Sequence, residues 1–494
     1  MKKRAMGLLM AAAMTAGMSG YGQWECSAAE IDFDEEPYEA TLMYWAANDA
    51  RDVDSVEAAF NELTMAQLNM KVDLQPVTFG TYNQQIQMIL SSDDPLDIFP
   101  MYGYNAATYI NAEYVEDLSP YLDTVASDLK EIIGEEDIMC DSLDGFVWGV
   151  PTMHERCTPS AYVMRTDILE ETGINAEDIK TTEDVTEVFA KVKELHPEIT
   201  IYGGTNTLAQ PISDMSYDPL GSGNFGVLLN YGQDTTVTNW FESDEYRRLV
   251  DIYYDWAQKG YSSADLATSA DSGETLMRAG NLFCFSTNWK PNTKVEKDAT
   301  TGYDTTVIRV TEPACYTNTT CAVSYAIASN TEDPEKAATL LNWIYKTKEA
   351  NDLLNWGLEG TDYQVLEDGT IDYPEGKDEN SVGYHQDFGW AQLNQFNSYV
   401  WTGNDADIWD QYQEMRDNAI VSKAYGFAFD ATPVLDEISA LSAVREQYQV
   451  MVGAGTVDPE TGIAEFNEAL YAAGLQDVID EKQRQLDEWL ADQE

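Results

Sequence analysis

The stretch Ala40-Thr-Leu-Met-Tyr-Trp-Ala46 opens the pattern that decides the fold. Its aromatic and β-branched residues fit a pleated, half-buried surface, so it reads as a strand. Behind it, Val53, Val56, Phe60 and Leu63 recur at spacings of 3, 4 and 3, which places one apolar face on a helix. Met70, Val72 and Leu74 alternate as in a second strand; Gln84 to Leu90 reads as a second helix and Leu96 to Met101 as a third strand. The order β-α-β-α-β predicts an α/β fold with a mostly parallel sheet. Its binding residues belong in the loops leaving the strands' carboxyl ends. Those loops are Ala46 to Asp52, Gln75 to Tyr82 and Tyr102 to Ala107.

Further along, Ile212 to Asn224 is rich in Ser, Asp, Pro and Gly and reads as a loop. Gly221-Ser-Gly-Asn-Phe-Gly226 within and after it matches GxGxxG in form, but no strand precedes it, so it is read as a flexible turn. A helix is predicted over Glu245 to Lys259, a strand over Tyr325 to Ala328, and a helix from Pro334 to about Tyr345. In the tail, Leu475, Val478, Ile479, Leu486, Trp489 and Leu490 form an apolar helical stripe. A chain of 494 residues, 44% of them hydrophobic, is long for a single core, and two lobes are expected.

Charge narrows the function. The 28 Lys and Arg stand against 87 Asp and Glu, a net charge of −59, which repels phosphate backbones and excludes nucleic acid as a partner. With His154, His196 and His385 as the only histidines, no multi-histidine metal centre and no cofactor is expected. His154-Glu155 lacks the second His of a zinc-protease helix, and Asp405 with Asp407 lacks the Gly and closing Glu of a calcium loop. So many acids make some close carboxylate pair inevitable, so pairs by themselves say nothing about glycoside cleavage. The chain is read as non-enzymatic, with a secreted glycan-active hydrolase or lyase and an adhesive surface protein as the alternatives.

The N-terminus reads as an export signal. Met1-Lys-Lys-Arg4 is basic, Ala5 to Met18 is apolar or small, and Ser27-Ala28-Ala29 offers a cleavage site that leaves Glu30 first, making 1–29 the signal peptide. Cys26 offers lipid attachment as the alternative. Of the five cysteines after Ala29, Cys315 and Cys321 flank a short polar stretch and are the best local pair; buried free thiols fit the sequence equally well.

Several stretches, taken in order, carry a resemblance: Tyr44-Trp45-Ala46-Ala47-Asn48-Asp49, Phe79-Gly80-Thr81-Tyr82, Trp148-Gly149-Val150-Pro151, Asn288-Trp289-Lys290-Pro291, Trp356-Gly357-Leu358-Glu359-Gly360 and Gly426-Phe427-Ala428-Phe429-Asp430. They resemble the extracellular solute-binding proteins of ABC importers, in the two-lobed group that includes maltose-binding proteins. The segment from Asp458-Pro459 to Trp489 is similar to a C-terminal domain of unknown function found in one subset. The resemblance implies a type II periplasmic-binding-protein-like fold, a monomer whose two lobes close by a hinge on a small solute, an oligosaccharide first among candidates. ABC transporter permease subunits would be its partners, and the membrane would be reached only through them or an anchor at Cys26. By analogy, the first lobe takes 30–149 and 307–360 and the second 150–306 and 361–494. The expected ligand-facing residues are Trp45 and Asp49 after the first strand, Tyr82, Tyr102 and Tyr104 in the following loops, and His154 and Glu155 after the Trp-Gly-Val-Pro turn. Trp289 is expected as a stacking aromatic, and Trp356, Glu359 and Tyr363 near the lobe junction.

Overall fold

The computed structural model of the chain describes residues 31–92, 95–204, 216–221, 223–263, 265–269 and 271–493. The expected signal peptide, its cleavage site and Cys26 lie outside these residues, as do 212–215 and 222 of the polar loop. The opening pattern is present as strand Tyr38–Trp45, helix Val53–Gln67, strand Met70–Val77, helix Tyr82–Leu90 and strand Ile98–Met101. Asp52 starts the first helix by accepting a hydrogen bond from the Ser55 amide at 3.2 Å, which satisfies a donor the helix itself leaves free. Strand Tyr38–Trp45 runs parallel to both neighbours, with Leu42 opposite Leu74 on one side and Ile98 on the other. Strand Met70–Val77 extends through Pro76 because it is an edge strand, where a missing amide donor breaks no ladder.

Strands Ser324–Ile327 and Val150–Pro151 complete this first sheet, the former antiparallel to Ile98–Met101. A second sheet orders Thr305–Arg309, Ser160–Arg165, Leu282–Asn288 and Thr200–Tyr202 side by side. The chain therefore crosses between sheets after Pro151 and again between Arg309 and Ser324. Residue 307, the expected point of return, falls inside a strand of the second sheet. Tyr384, Ala391 and Leu393, expected with the second lobe, pack instead in the core of the first sheet. The two-lobed α/β architecture is present, with its crossings displaced along the chain.

A disulfide joins the two crossover segments, Cys157 to Cys315. The expected Cys315–Cys321 pair does not form. The short helix Thr317–Thr320 between them carries Cys321 away into the core of the first sheet, where it is a buried free thiol. A third core lies apart from both sheets: Tyr217, Phe225, Trp240, Tyr246 and Leu249 pack against Leu441, Phe466, Leu470 and Leu486 of the C-terminal helices. Helix Asp244–Gln258 ties it to the second sheet, because Tyr253 and Trp256 on the same helix belong to that sheet's core. No helix among the described residues is long and apolar enough to cross a membrane.

Candidate binding cleft

The loop after strand Ile98–Met101 carries Tyr102-Gly103-Tyr104, and Gly103 dictates how it lies. A Cβ at this position would stand 2.3 Å from the Cys321 carbonyl oxygen, the same atom that accepts the Gly103 amide at 2.9 Å. Only glycine lets the loop rest this closely on the returning crossover segment. The two flanking rings stack with centroids 5.2 Å apart and planes 15° apart, and Tyr104 is 64% exposed. Phe79, 41% exposed, and Trp390 extend the aromatic surface, their centroids 5.9 Å apart. Burial and the neighbouring Tyr104 hydroxyl push the Tyr102 phenol up to about 12, so it stays a neutral donor and acceptor.

Trp45 and Tyr82 hold this surface up from beneath and do not present a face to a ligand. Trp45 is fully buried, its ring 4.5 Å from Phe79, 4.6 Å from Tyr82 and 5.3 Å from Tyr102. Tyr82 is equally buried, its hydroxyl donating to the Pro100 carbonyl at 2.7 Å. Both follow from inward-pointing positions, one at the end of a central strand and the other at the start of the helix that covers it. Phe79, Tyr102, Tyr104 and Trp390 line a cavity of about 870 Å³, and Phe429 and Leu435 line it from the C-terminal side. Asp49 is exposed on the first loop, which Gln386 holds in place by accepting the Ala47 amide at 2.7 Å.

The edge of the second sheet supplies a charged cluster. Trp289 follows strand Leu282–Asn288, its amide donating to the Pro159 carbonyl at 2.7 Å, and the Arg309 guanidinium sits 5.3 Å from its ring centroid. Half-buried and covered by Arg309 on one side, Trp289 has at most one face to offer. Next to it, Lys290 pairs with Glu155 at 3.0 Å and Glu296 at 2.8 Å. Burial works against the ammonium, but the carboxylates outweigh it and the Lys290 pKa is raised. The second Glu155 oxygen is buried without a hydrogen-bond partner in the described structure. Desolvation of the Asp387 carboxyl, with repulsion from Glu296 and a partial offset from Lys290, pushes it up to about 6. His154 is buried, with Nδ1 2.9 Å from the Thr152 hydroxyl; burial and then the positive Arg156 bring it down to about 3, so it is neutral near pH 7.

Trp356 and Tyr363 do not line this cavity. Gly357 takes a positive φ of 84°, and the Asp362 carboxylate accepts the Leu358 amide at 2.9 Å, which turns Trp356 inward. There its indole donates to the Ser398 hydroxyl at 2.8 Å and stacks on Trp401 at 5.3 Å, while Tyr363 joins the same small core. Glu359 stays exposed on that loop. Phe79 and Lys290 were visible inside quoted motifs but not singled out. Trp390 and Asp387 lie far along the chain from the loops they join, and no local signal marks them.

Residues 50–351 match the model of the bacterial extracellular solute-binding protein, and residues 423–491 match a domain of unknown function. The chain belongs to the bacterial extracellular solute-binding protein family. It is 24% identical to a carbohydrate ABC transporter substrate-binding protein of Streptococcus pneumoniae, over 99% of this chain and 98% of that relative. The crystal structure of an N-glycan transport solute binding protein, also from Streptococcus pneumoniae, matches with a TM-score of 0.81 at 22% identity, covering 92% of this chain and 100% of that one. An extracellular solute-binding protein from Bifidobacterium longum subsp. infantis matches with a TM-score of 0.64 at 15% identity, over 91% of this chain and 98% of that one. These structures share the two-lobed fold described above.

Proposed function

We propose that this solute-binding protein captures a neutral oligosaccharide in the cleft between its lobes and delivers it to the membrane subunits of an ABC transporter. The observation that carries this reading is the exposed Tyr104 ring stacked on Tyr102 at the mouth of an aromatic cavity. A flat ring with a free face suits the apolar face of a pyranose, and small-molecule sites of roughly 300–1,000 Å³ combine such apolar walls with a few fixed polar groups. Glu155, Glu296 and Asp387 outnumber Lys290 in the charged cluster, an arrangement that favours hydroxyl donors and repels anions. The carbohydrate relative, and structures of the N-glycan transport protein in complex with Man1GlcNAc and Man5GlcNAc, support the same reading.

In this reading the lobes close about the crossovers 152–159 and 310–323, because a ligand touching both faces stabilises the closed state. Tyr102, Tyr104, Phe79 and Trp390 supply the first face; Trp289, Glu155 and the exposed Asp49 do not line that cavity and would meet the solute from elsewhere in the cleft. The protein acts as an exported, non-catalytic monomer, starting at Glu30 or lipidated at Cys26. A thermal-shift screen against a glycan panel, run beside a product assay, tests the proposal. Saturable stabilisation by neutral glycans without product is expected. Turnover would establish a hydrolase or lyase instead, and a panel without a single stabilising glycan would refute the ligand class.

A further inference from the structure

We infer that the C-terminal module, residues 423–491, is a wall of the binding cavity that reads the end of the bound oligosaccharide. This inference rests on the oligosaccharide reading and gives the module its task. The module packs its helices into one core with residues 217–250, apart from the cores of both sheets. It nevertheless lines the same cavity as Phe79 and Tyr104, through Phe429, Leu435, Ile438 and Lys482. Leu435, at the start of helix Leu435–Gly453, is 52% exposed although it is apolar. Left in water, such a side chain forgoes the stabilisation that covering it would bring, and a sugar face in the cavity would cover it.

The wall is braced. The Lys482 amino group is buried, which brings its pKa down to about 7; it donates to the Gly226 carbonyl at 2.9 Å and stands 5.3 Å from the Phe429 ring centroid. Gln485 on the same helix accepts the Asp430 amide and donates to the Asp430 carbonyl, both at 2.9 Å, so the Phe429 loop is tied at two points to helix Leu475–Gln493. Across the rim, the Asn111 amide donates to the Thr432 hydroxyl at 3.0 Å, which joins the module directly to the first lobe. A braced apolar wall facing the stacked tyrosines closes that end of the cavity. A short glycan would occupy the tyrosine face alone, whereas a longer one would reach Phe429 and Leu435. The module would therefore act on large ligands and leave small ones unaffected.

The test compares Man1GlcNAc and Man5GlcNAc by calorimetric titration on the full mature chain, as wild type, Leu435→Trp and Phe429→Ala. Leu435→Trp fills the far end, and Phe429→Ala removes its platform. Each is expected to weaken Man5GlcNAc about tenfold or more while changing Man1GlcNAc by less than about twofold, with ligand-free melting close to wild type. The ratio of the two affinities is a readout that general destabilisation would not move. Wild type binding Man5GlcNAc, with both variants indistinguishable from it or both glycans weakened equally, would overturn the module's role alone. Wild type binding neither glycan would overturn this inference, and the oligosaccharide reading would fall with it if no member of the glycan panel stabilised the protein.

Discussion

Replacing Tyr104 by alanine separates a binding residue from a structural one. The ring is 64% exposed in the ligand-free protein, and its inner face already rests on Tyr102. An aromatic side chain buries on the order of 200 Å², so the exposed share is about 130 Å², of which a sugar stacked on the outer face would cover roughly half. At about 25 cal/mol per Å² this is worth about 1.6 kcal/mol, or roughly fifteenfold in affinity. Folding should respond little, since the lost side chain is mostly in water and leaves no sealed cavity. The assay is calorimetric titration of Tyr104→Ala with a glycan that stabilises the wild type, alongside denaturant unfolding without ligand. Affinity within twofold of wild type would refute the stacking role. A loss of more than about 2 kcal/mol in ligand-free stability would instead place the ring in the core.

Trp45→Ala should behave in the opposite way, losing about 3–5 kcal/mol of ligand-free stability in denaturant unfolding, because a fully buried indole packed on three rings leaves a cavity. Replacing Cys157 and Cys315 together by serine should lower stability by about 2–5 kcal/mol, since their bond closes a loop with a sequence separation of 158 residues; thermal unfolding with and without reductant checks this. His154 makes stability depend on pH. Its folded pKa of about 3 lies below the ordinary 6.5, so between these values the unfolded chain binds a proton that the native state refuses. Stability from this residue is complete above about pH 6.5 and falls by up to about 1.4 kcal/mol per pH unit as pH drops towards 3. His154→Gln should show a shallower acid slope in urea unfolding at stepped pH; an unchanged slope would mean that other groups carry it.

Where a signal is local and periodic, sequence and structure agree. The β-α-β-α-β opening, the helix at Pro334 and the apolar tail stripe lie within a few residues of their observed positions. Each is set by alternation, helical spacing or a cap within one element, and nearby residues suffice to specify these. The position of Tyr102 and Tyr104 in a loop was legible for the same reason: they follow directly from the end of strand Ile98–Met101.

The exceptions depend on which distant segments meet. Whether Trp45 and Trp356 face a ligand or a core cannot follow from their own neighbours in the chain. Trp45 is sealed by Phe79, Tyr82 and Tyr102, and Trp356 by Trp401 and Ser398. Cys315 lies six positions from Cys321, yet it bonds Cys157 because both crossovers run through the same narrow junction between the sheets. Asp387, beside Glu296 and Lys290, and Leu435, lining one cavity with Tyr104, likewise come together only in the folded chain. The amino-acid sequence by itself determined the elements and the two-lobed class, because those arise from short-range periodicity. Tertiary structure alone decided which aromatic rings are buried and which are bare, because burial is a property of contacts between residues tens to hundreds of positions apart.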